Sequence, residues 1–333
     1  MTPDTDSAQP PGDPRPSSAL QSLLVDEGAG APLAAAAGDV AAGHLGYSAR
    51  TQAATVVAYH LMAHDGIDTE VLQRDLLELG RATSGVYTRG SVQFVDWLAS
   101  AEAGAPAASG VPTSEPATRV VPLGVWFRHD AATLVHSAVE LARMESVDAS
   151  TVLVSAAAAG AVAASTLVMS GWDLVLAARE TAERALEVME AERYRFAGFE
   201  RATQLPRAIG SLRALVGKPY GEVASAMSDI HEGLRPAVAS IVVSADTRRD
   251  PVLTIEDAAV NGGPDAGVLA GAILGARVGL RRWPWRVPNE TWFAEIGRRL
   301  VTHERELRDL PIPYAVEERM KNAGRGDRGF EVG

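Results

Sequence analysis

A glycine pair that feeds a helix start can serve an anion, and the segment Asn261-Gly262-Gly263-Pro264-Asp265 has that form. Backbone N–H groups at such a point face outward beside the positive end of the helix dipole, which suits a phosphate. A tight turn capped by Asp265 explains the same residues, and both readings stay open. His60 and His64 are spaced i,i+4 and could hold a metal on one helix face; with no third ligand nearby, a plain surface pair is the simpler reading. Two tryptophans around a proline, Trp283-Pro284-Trp285, stand beside Arg281, Arg282 and Arg286, as either an exposed aromatic-basic patch or rings packed under a loop. The chain has no cysteine, which removes disulfides, zinc thiolates, iron–sulfur ligation and thiol nucleophiles together.

The elements that must position these residues read as helices. Asp68 precedes Leu72, Leu76 and Leu79, with Gly80 as the stop; Asp130 precedes Leu134, Ala138 and Leu141. From Trp172 to Arg193, Leu174, Ala178, Ala185 and Met189 share a side, and Glu180 with Arg184 are spaced for an ion pair. Asn289 precedes Phe293, Ile296 and Leu300, continuing to Leu307. The only strand-like stretches, Val120–Phe127 and Ile241–Ser244, are short enough to be helical fragments. The expected fold class is all-α.

Gly267, Gly271, Gly275 and Gly279 recur every fourth residue and form one ridge along a helix. Each glycine costs about 1 kcal/mol of helix stability against alanine, so four in a row need a partner pressed very close. The alanine-rich run Thr151–Met169 is the expected partner. That run is 19 uncharged residues long, and alanine, serine and threonine dominate it, so a buried core helix is preferred over a membrane span.

With 333 residues, 47% hydrophobic and 22% charged, the chain can bury a large core, filled by small aliphatics because aromatics are only 5%. Its net charge of −11, without a basic stripe, argues against nucleic acid. Residues 1–18 read as a disordered Pro/Asp/Ser leader without a signal-like apolar region, which predicts a cytoplasmic protein. Residues 19–316 read as one domain, with Ala103–Pro116 as a loop or linker, and 317–333 as a charged, frayed tail.

Four stretches in order resemble the ADP-ribosylglycohydrolase family. Gly38-Asp39-Val-Ala-Ala-Gly43 is similar to its opening GDALG, and Tyr47-Ser48-Ala49-Arg50-Thr51-Gln52 to its Y-T-D-D-T-Q. Ala117-Thr118-Arg119-Val-Val-Pro122-Leu123-Gly124 is similar to A-M-R-x-x-P-L-G. Gly262-Gly263-Pro264-Asp265-Ala266-Gly267, its glycine-alanine helix, Pro288 and Trp292 are similar to G-G-D-x-D-T, the helix after it and the closing I-P-x-x-W. The resemblance implies a compact all-α domain with two magnesium ions held between the second and fourth stretches, hydrolysing the glycosidic bond of an ADP-ribose.

The chain departs from that pattern where the metals would sit. Ala49 and Arg50 replace the two aspartates of the second stretch; Pro264, Ala266 and Gly267 replace two aspartates and a threonine in the fourth, leaving Asp265 one position out of register. The loop that brings a further acid has shrunk to His44-Leu45-Gly46, and Met144-Glu145 stands where the family has Thr-His. A guanidinium about 4 Å from a divalent ion repels it by several kcal/mol even at an effective dielectric of 20, so no metal or other cofactor is expected.

Three functions follow. The first is a metal-free pseudoenzyme that keeps the cleft and binds an ADP-ribose-like small molecule, an ADP-ribosylated protein or another anion. Arg50, Thr51, Ser48, Gly262, Gly263 and Arg119 would then bind the ligand. Alternatively, Arg50 pairs with Asp265 or Asp39 and plugs the old site. The second is a metal-independent glycohydrolase using Asp265, Asp39 or Glu115 as acid or base, against which Glu115 reads as a solvated loop residue, Asp39 as a helix buttress and Asp265 as an N-cap. The third is a structural or partner-binding protein that associates through the helix of Trp172 or the Trp283–Trp285 corner.

Overall fold

A computed structural model describes residues 18–43, 47–82, 92–103, 108–281, 283–313 and 315–316. The leader 1–17, the shortened loop 44–46 and the tail from 317 lie outside the described residues. The described chain is all-α, with only two isolated bridges, Ser109–Ser146 and Asp148–Ala197, and no strand.

The helices run α1 (Ser18–Ala41), α2 (Ala49–His64), α3 (Thr69–Ala82), α4 (Val92–Glu102), α5 (Glu115–Arg119), α6 (Val121–Trp126), α7 (Ala131–Arg143) and α8 (Ala149–Thr166). They continue as α9 (Gly171–Glu190), α10 (Phe199–Ala202), α11 (Leu205–Ser211), α12 (Tyr220–Ser225), α13 (Arg235–Ser244), α14 (Pro251–Val278) and α15 (Glu290–Thr302). Aspartates start several of them: Oδ1 of Asp68 accepts from Glu70 and Val71 N–H at 3.1 Å, Asp130 from Thr133 N–H at 3.0 Å, and Asp148 from Thr151 N–H at 2.8 Å. The two strand-like stretches lie in α6 and α13.

Two helix boundaries and one ion pair differ from the sequence expectation. Gly80 lies inside α3 and packs against Leu98. The last helix stops at Thr302, not Leu307, because His303 turns into the left-handed region at φ 53°. On α9 the ion pair that forms is Arg179–Glu183, one register from the expected Glu180–Arg184.

Helix α8 occupies the centre. It is long and apolar enough to cross a membrane, yet 94% of it is buried inside the protein, packed against α6, α7, α9 and α14. Gly124 of α6 lets that helix approach the Ala159 carbonyl, and Gly160 admits Thr181 of α9. The glycine ridge of α14, however, presses on α1 and not on α8. A Cβ on Gly267 would meet the Gly38 carbonyl, one on Gly271 the Ala34 carbonyl, and one on Gly275 the Gly30 carbonyl. Rising numbers on α14 meet falling numbers on α1, so the two helices cross antiparallel, backbone to backbone. The expected partner, Thr151–Met169, is therefore wrong: α1 takes this contact, with its own glycines, Gly30 and Gly38, at the crossing. The crossing fixes the C-terminal end of α1, with Asp39, beside the first turn after the α14 kink, with Asp265.

Candidate functional site

The α14 helix is broken at Gly263, whose φ of 78° and ψ of −171° are open to glycine alone. Pro264 follows with its preset φ at the first position of the new segment, and Asp265 comes next, inside the first turn. Gly262 is needed too, since a Cβ there would strike the Tyr220 ring and hydroxyl. The glycine pair is therefore explained by the kink and by Tyr220, whose own N–H donates to Asp257 at 3.0 Å. Asp265 is not the cap of this turn: its carboxylate forms an ion pair with Nε of Arg50.

Arg50 enters from the first turn of α2. Ser48 is the N-cap of that helix, and its hydroxyl accepts from Arg50 N–H at 3.3 Å. Asp39 secures the turn from α1: one oxygen, Oδ2, accepts from Ser48 N–H at 2.6 Å, Ser48 Oγ at 2.8 Å and Thr51 Oγ1 at 2.8 Å. Asp39 thus ties α1 to the start of α2, and Ser48 and Thr51 spend their hydroxyls on it. Tyr47, at the same turn, accepts from Asn289 Nδ2 at 2.9 Å and meets Phe293 edge-on at 4.9 Å, which locks the Pro288–Trp292 segment against it.

Opposite Arg50 stands Glu115, the first residue of α5. It is buried, at 5% exposure, which corrects the solvated-loop reading. Its Oε2 lies 4.0 Å from Arg50 Nη2, and its Oε1 accepts from Arg119 Nη2 at 2.8 Å. Ser114 fixes this corner, donating to the Gly233 carbonyl at 2.8 Å and accepting from Ala237 N–H at 3.1 Å. Arg119 in turn lies with Nε 3.0 Å from Glu145 Oε1 and with its guanidinium 4.4 Å above the Phe94 ring.

The result is a buried line of alternating charge, Asp265, Arg50, Glu115, Arg119, Glu145, drawn from α14, α2, α5 and the end of α7. Burial lowers the pKa of Arg50, but Asp265 and Glu115 outweigh that and the net shift is upward, so its charge is permanent. Burial pushes the Glu145 carboxyl up to about 7, against the pull of Arg119 and reinforced by Glu115. Burial raises the Asp265 carboxyl as well, against the pull of Arg50.

The other sequence candidates lie apart. His60 is buried, not a surface residue; its Nε2 accepts from Asp68 N–H at 3.0 Å, its ring lies 4.6 Å from that of His64, and burial lowers its pKa. Trp283 is buried, Trp285 half-buried, and Arg281 stands 5.2 Å from the Trp283 ring.

A family model described as ADP-ribosylglycohydrolase matches residues 9–310. The chain belongs to this family. A comparison with curated proteins returns no match. Three of the four stretches supply the charge line, with Arg50, Arg119 and Asp265, and the first supplies Asp39, which holds the turn that carries Arg50. Divalent ions need anionic oxygens free to converge on them. Here Asp265 is engaged by Arg50, Glu115 lies between two guanidiniums and Asp39 receives three donors. No group of three or more His, Asp or Glu side chains suited to a metal occurs among the described residues. The residues present do not fit a two-magnesium centre.

Glu145 is the member that sequence reasoning missed. Its one signal was position, at the family's Thr-His site, and nothing in the helical pattern around it distinguishes a buried acid from a solvated one. Phe94 and Tyr220, which wall the network, carried no signal beyond being aromatic.

Proposed function

We propose that this ADP-ribosylglycohydrolase-family protein is a metal-free pseudoenzyme without magnesium-dependent hydrolase activity. The observation that carries the reading is the Arg50 guanidinium bridging Asp265 and Glu115, a permanent cation in the space between the two metal-binding turns of the family. Of the two roles open to Arg50, the plug is favoured, because two carboxylates already satisfy it. An ADP-ribose-like ligand would reach Arg50 only by exchanging a phosphate for Asp265, a bidentate replacement that guanidinium geometry permits. ADP-ribose affinity is then limited by competition with Asp265.

Metal-independent catalysis is less well supported. Asp39 and Glu115 are held by donors, and Glu145, whose carboxyl near 7 is in the range of a general acid, is buried against Arg119. Calorimetric titration with ADP-ribose, with and without magnesium, tests the proposal. Wild type is expected to bind weakly and identically in both conditions, Asp265→Asn more tightly, and neither to release ADP-ribose from ADP-ribosyl-arginine. Magnesium-dependent binding or turnover at ordinary enzyme rates would overturn it.

A further inference from the structure

The corner between α8 and α9 carries a feature that the charge network does not use. Leu167, Val168, Met169 and Trp172 are 41%, 49%, 42% and 59% exposed, and 167–172 contains no charged residue. Val168 has φ 62°, while Val168 N–H donates to the Ser165 carbonyl and Met169 N–H to the Ala164 carbonyl, both at 2.9 Å. This is the helix-ending motif whose left-handed position is normally glycine. A β-branched residue there is a true outlier. Its side chain is half exposed, so packing within the chain does little to offset the strain. The strained valine sits in a turn with three consecutive half-exposed apolar side chains, which Gly171, also at positive φ, pins to the Ala245 carbonyl at 2.8 Å.

One cation touches this tip, and a second lines the depression next to it. The Arg213 guanidinium lies 5.3 Å from the Trp172 ring, and Arg207 and Arg213 line a shallow depression of ≈450 Å³ between α9 and α11 together with the Arg179–Glu183 pair. Neither Arg207 nor Arg213 makes an ion pair with the described residues, although Asp173 follows Trp172 in sequence. In a chain of net charge −11, Arg213 at the uncharged 167–172 tip, with Arg207 in the adjoining depression, sets positive charge beside the apolar side chains, with the exposed Asp173 the nearest acid in sequence.

We propose that this corner is a peripheral membrane-contact site for an anionic bilayer, with Leu167, Val168 and Met169 entering the headgroup–acyl boundary. Trp172 would sit at the interface, and Arg207 and Arg213 would meet lipid phosphates. A protein partner fits less well, because four half-exposed side chains on one turn fall well short of the roughly 800 Å² per partner that a stable interface covers. The sequence expectation is that no membrane is a partner; this proposal departs from it, and needs no spanning segment to do so.

Vesicle flotation tests the site. Full-length protein is expected to float with phosphatidylcholine–phosphatidylserine vesicles, less so as salt rises, and hardly at all with phosphatidylcholine alone. Val168→Gly and Trp172→Ala should each reduce the bound fraction by about tenfold, in line with the loss of apolar insertion, and Arg213→Gln should remove mainly the phosphatidylserine-dependent part. Val168→Gly relieves the backbone and should leave the melting temperature unchanged or higher, so lost binding is not lost folding. No flotation, or flotation indifferent to Val168→Gly and Trp172→Ala, would overturn the proposal. So would a dimer in solution that Val168→Gly dissociates in a protein that binds no vesicles, which would assign the corner to a second copy.

Discussion

Arg50 and Asp265 lie 215 positions apart in the chain and are ion-paired, joining the start of α2 to the first turn after the α14 kink. Both side chains are largely withdrawn from water, at 9% and 16% exposure. A pair in that setting gains little over an apolar isostere, yet breaking it from one side strands a charge.

Arg50→Ala should therefore destabilise the protein by about 3–5 kcal/mol, since Asp265 and Glu115 lose the cation between them. Adding Asp265→Ala should recover part of the loss, and the double variant should lose clearly less than the sum of the singles. Urea unfolding of all four proteins gives the coupling. A single variant as stable as wild type would show that Arg50 does not hold the fold and is there for a ligand.

Glu145 predicts a pH effect with a definite sign. Its carboxyl is raised from 4.5 to about 7 in the folded state, so between those values the native chain keeps a proton that the unfolded chain has lost. Stability from this group is then present below 4.5 and falls as pH rises towards about 7, by an amount on the order of 3 kcal/mol. Melting temperature against pH should show that slope in wild type, and Glu145→Gln should flatten it. A slope that survives the substitution must come from other groups.

The antiparallel crossing of α1 and α14 leaves no room at its glycines. Gly271→Ala gains about 1 kcal/mol of helix propensity, but its Cβ meets the rigid Ala34 carbonyl, so a net loss of about 1–3 kcal/mol is expected. Gly221→Ala in α12, where a Cβ meets nothing within 4 Å, should be neutral or stabilising. Equal effects of the two changes on denaturation midpoints would contradict the packing.

Much of the helical order was legible because apolar residues recur at the helical period and aspartates stand at the starts of α3, α7 and α8. The partner of the glycine ridge was misjudged as Thr151–Met169, since small residues mark which helices can approach closely but not which pair the fold brings together. At the site, the order of the four stretches located Asp39, Arg50, Arg119 and Asp265. The pairing of those residues was not legible, because Asp39 and Asp265 were equally plausible partners for Arg50 until the α14 kink placed Asp265 against it. Glu115 and Glu145 were misjudged or missed for one physical reason: an acid's burial depends on what packs over it, and its neighbours in sequence carry little of that information.

Direct counting of bound divalent ions is the sharpest test. Manganese titrated into full-length protein at millimolar concentration, with and without ADP-ribose, can be followed by the electron paramagnetic resonance signal of the free ion. The guanidinium-filled centre predicts that all added manganese stays free. Loss of two equivalents of that signal at the Arg50–Asp265 centre, reversed by Asp265→Ala, would contradict it.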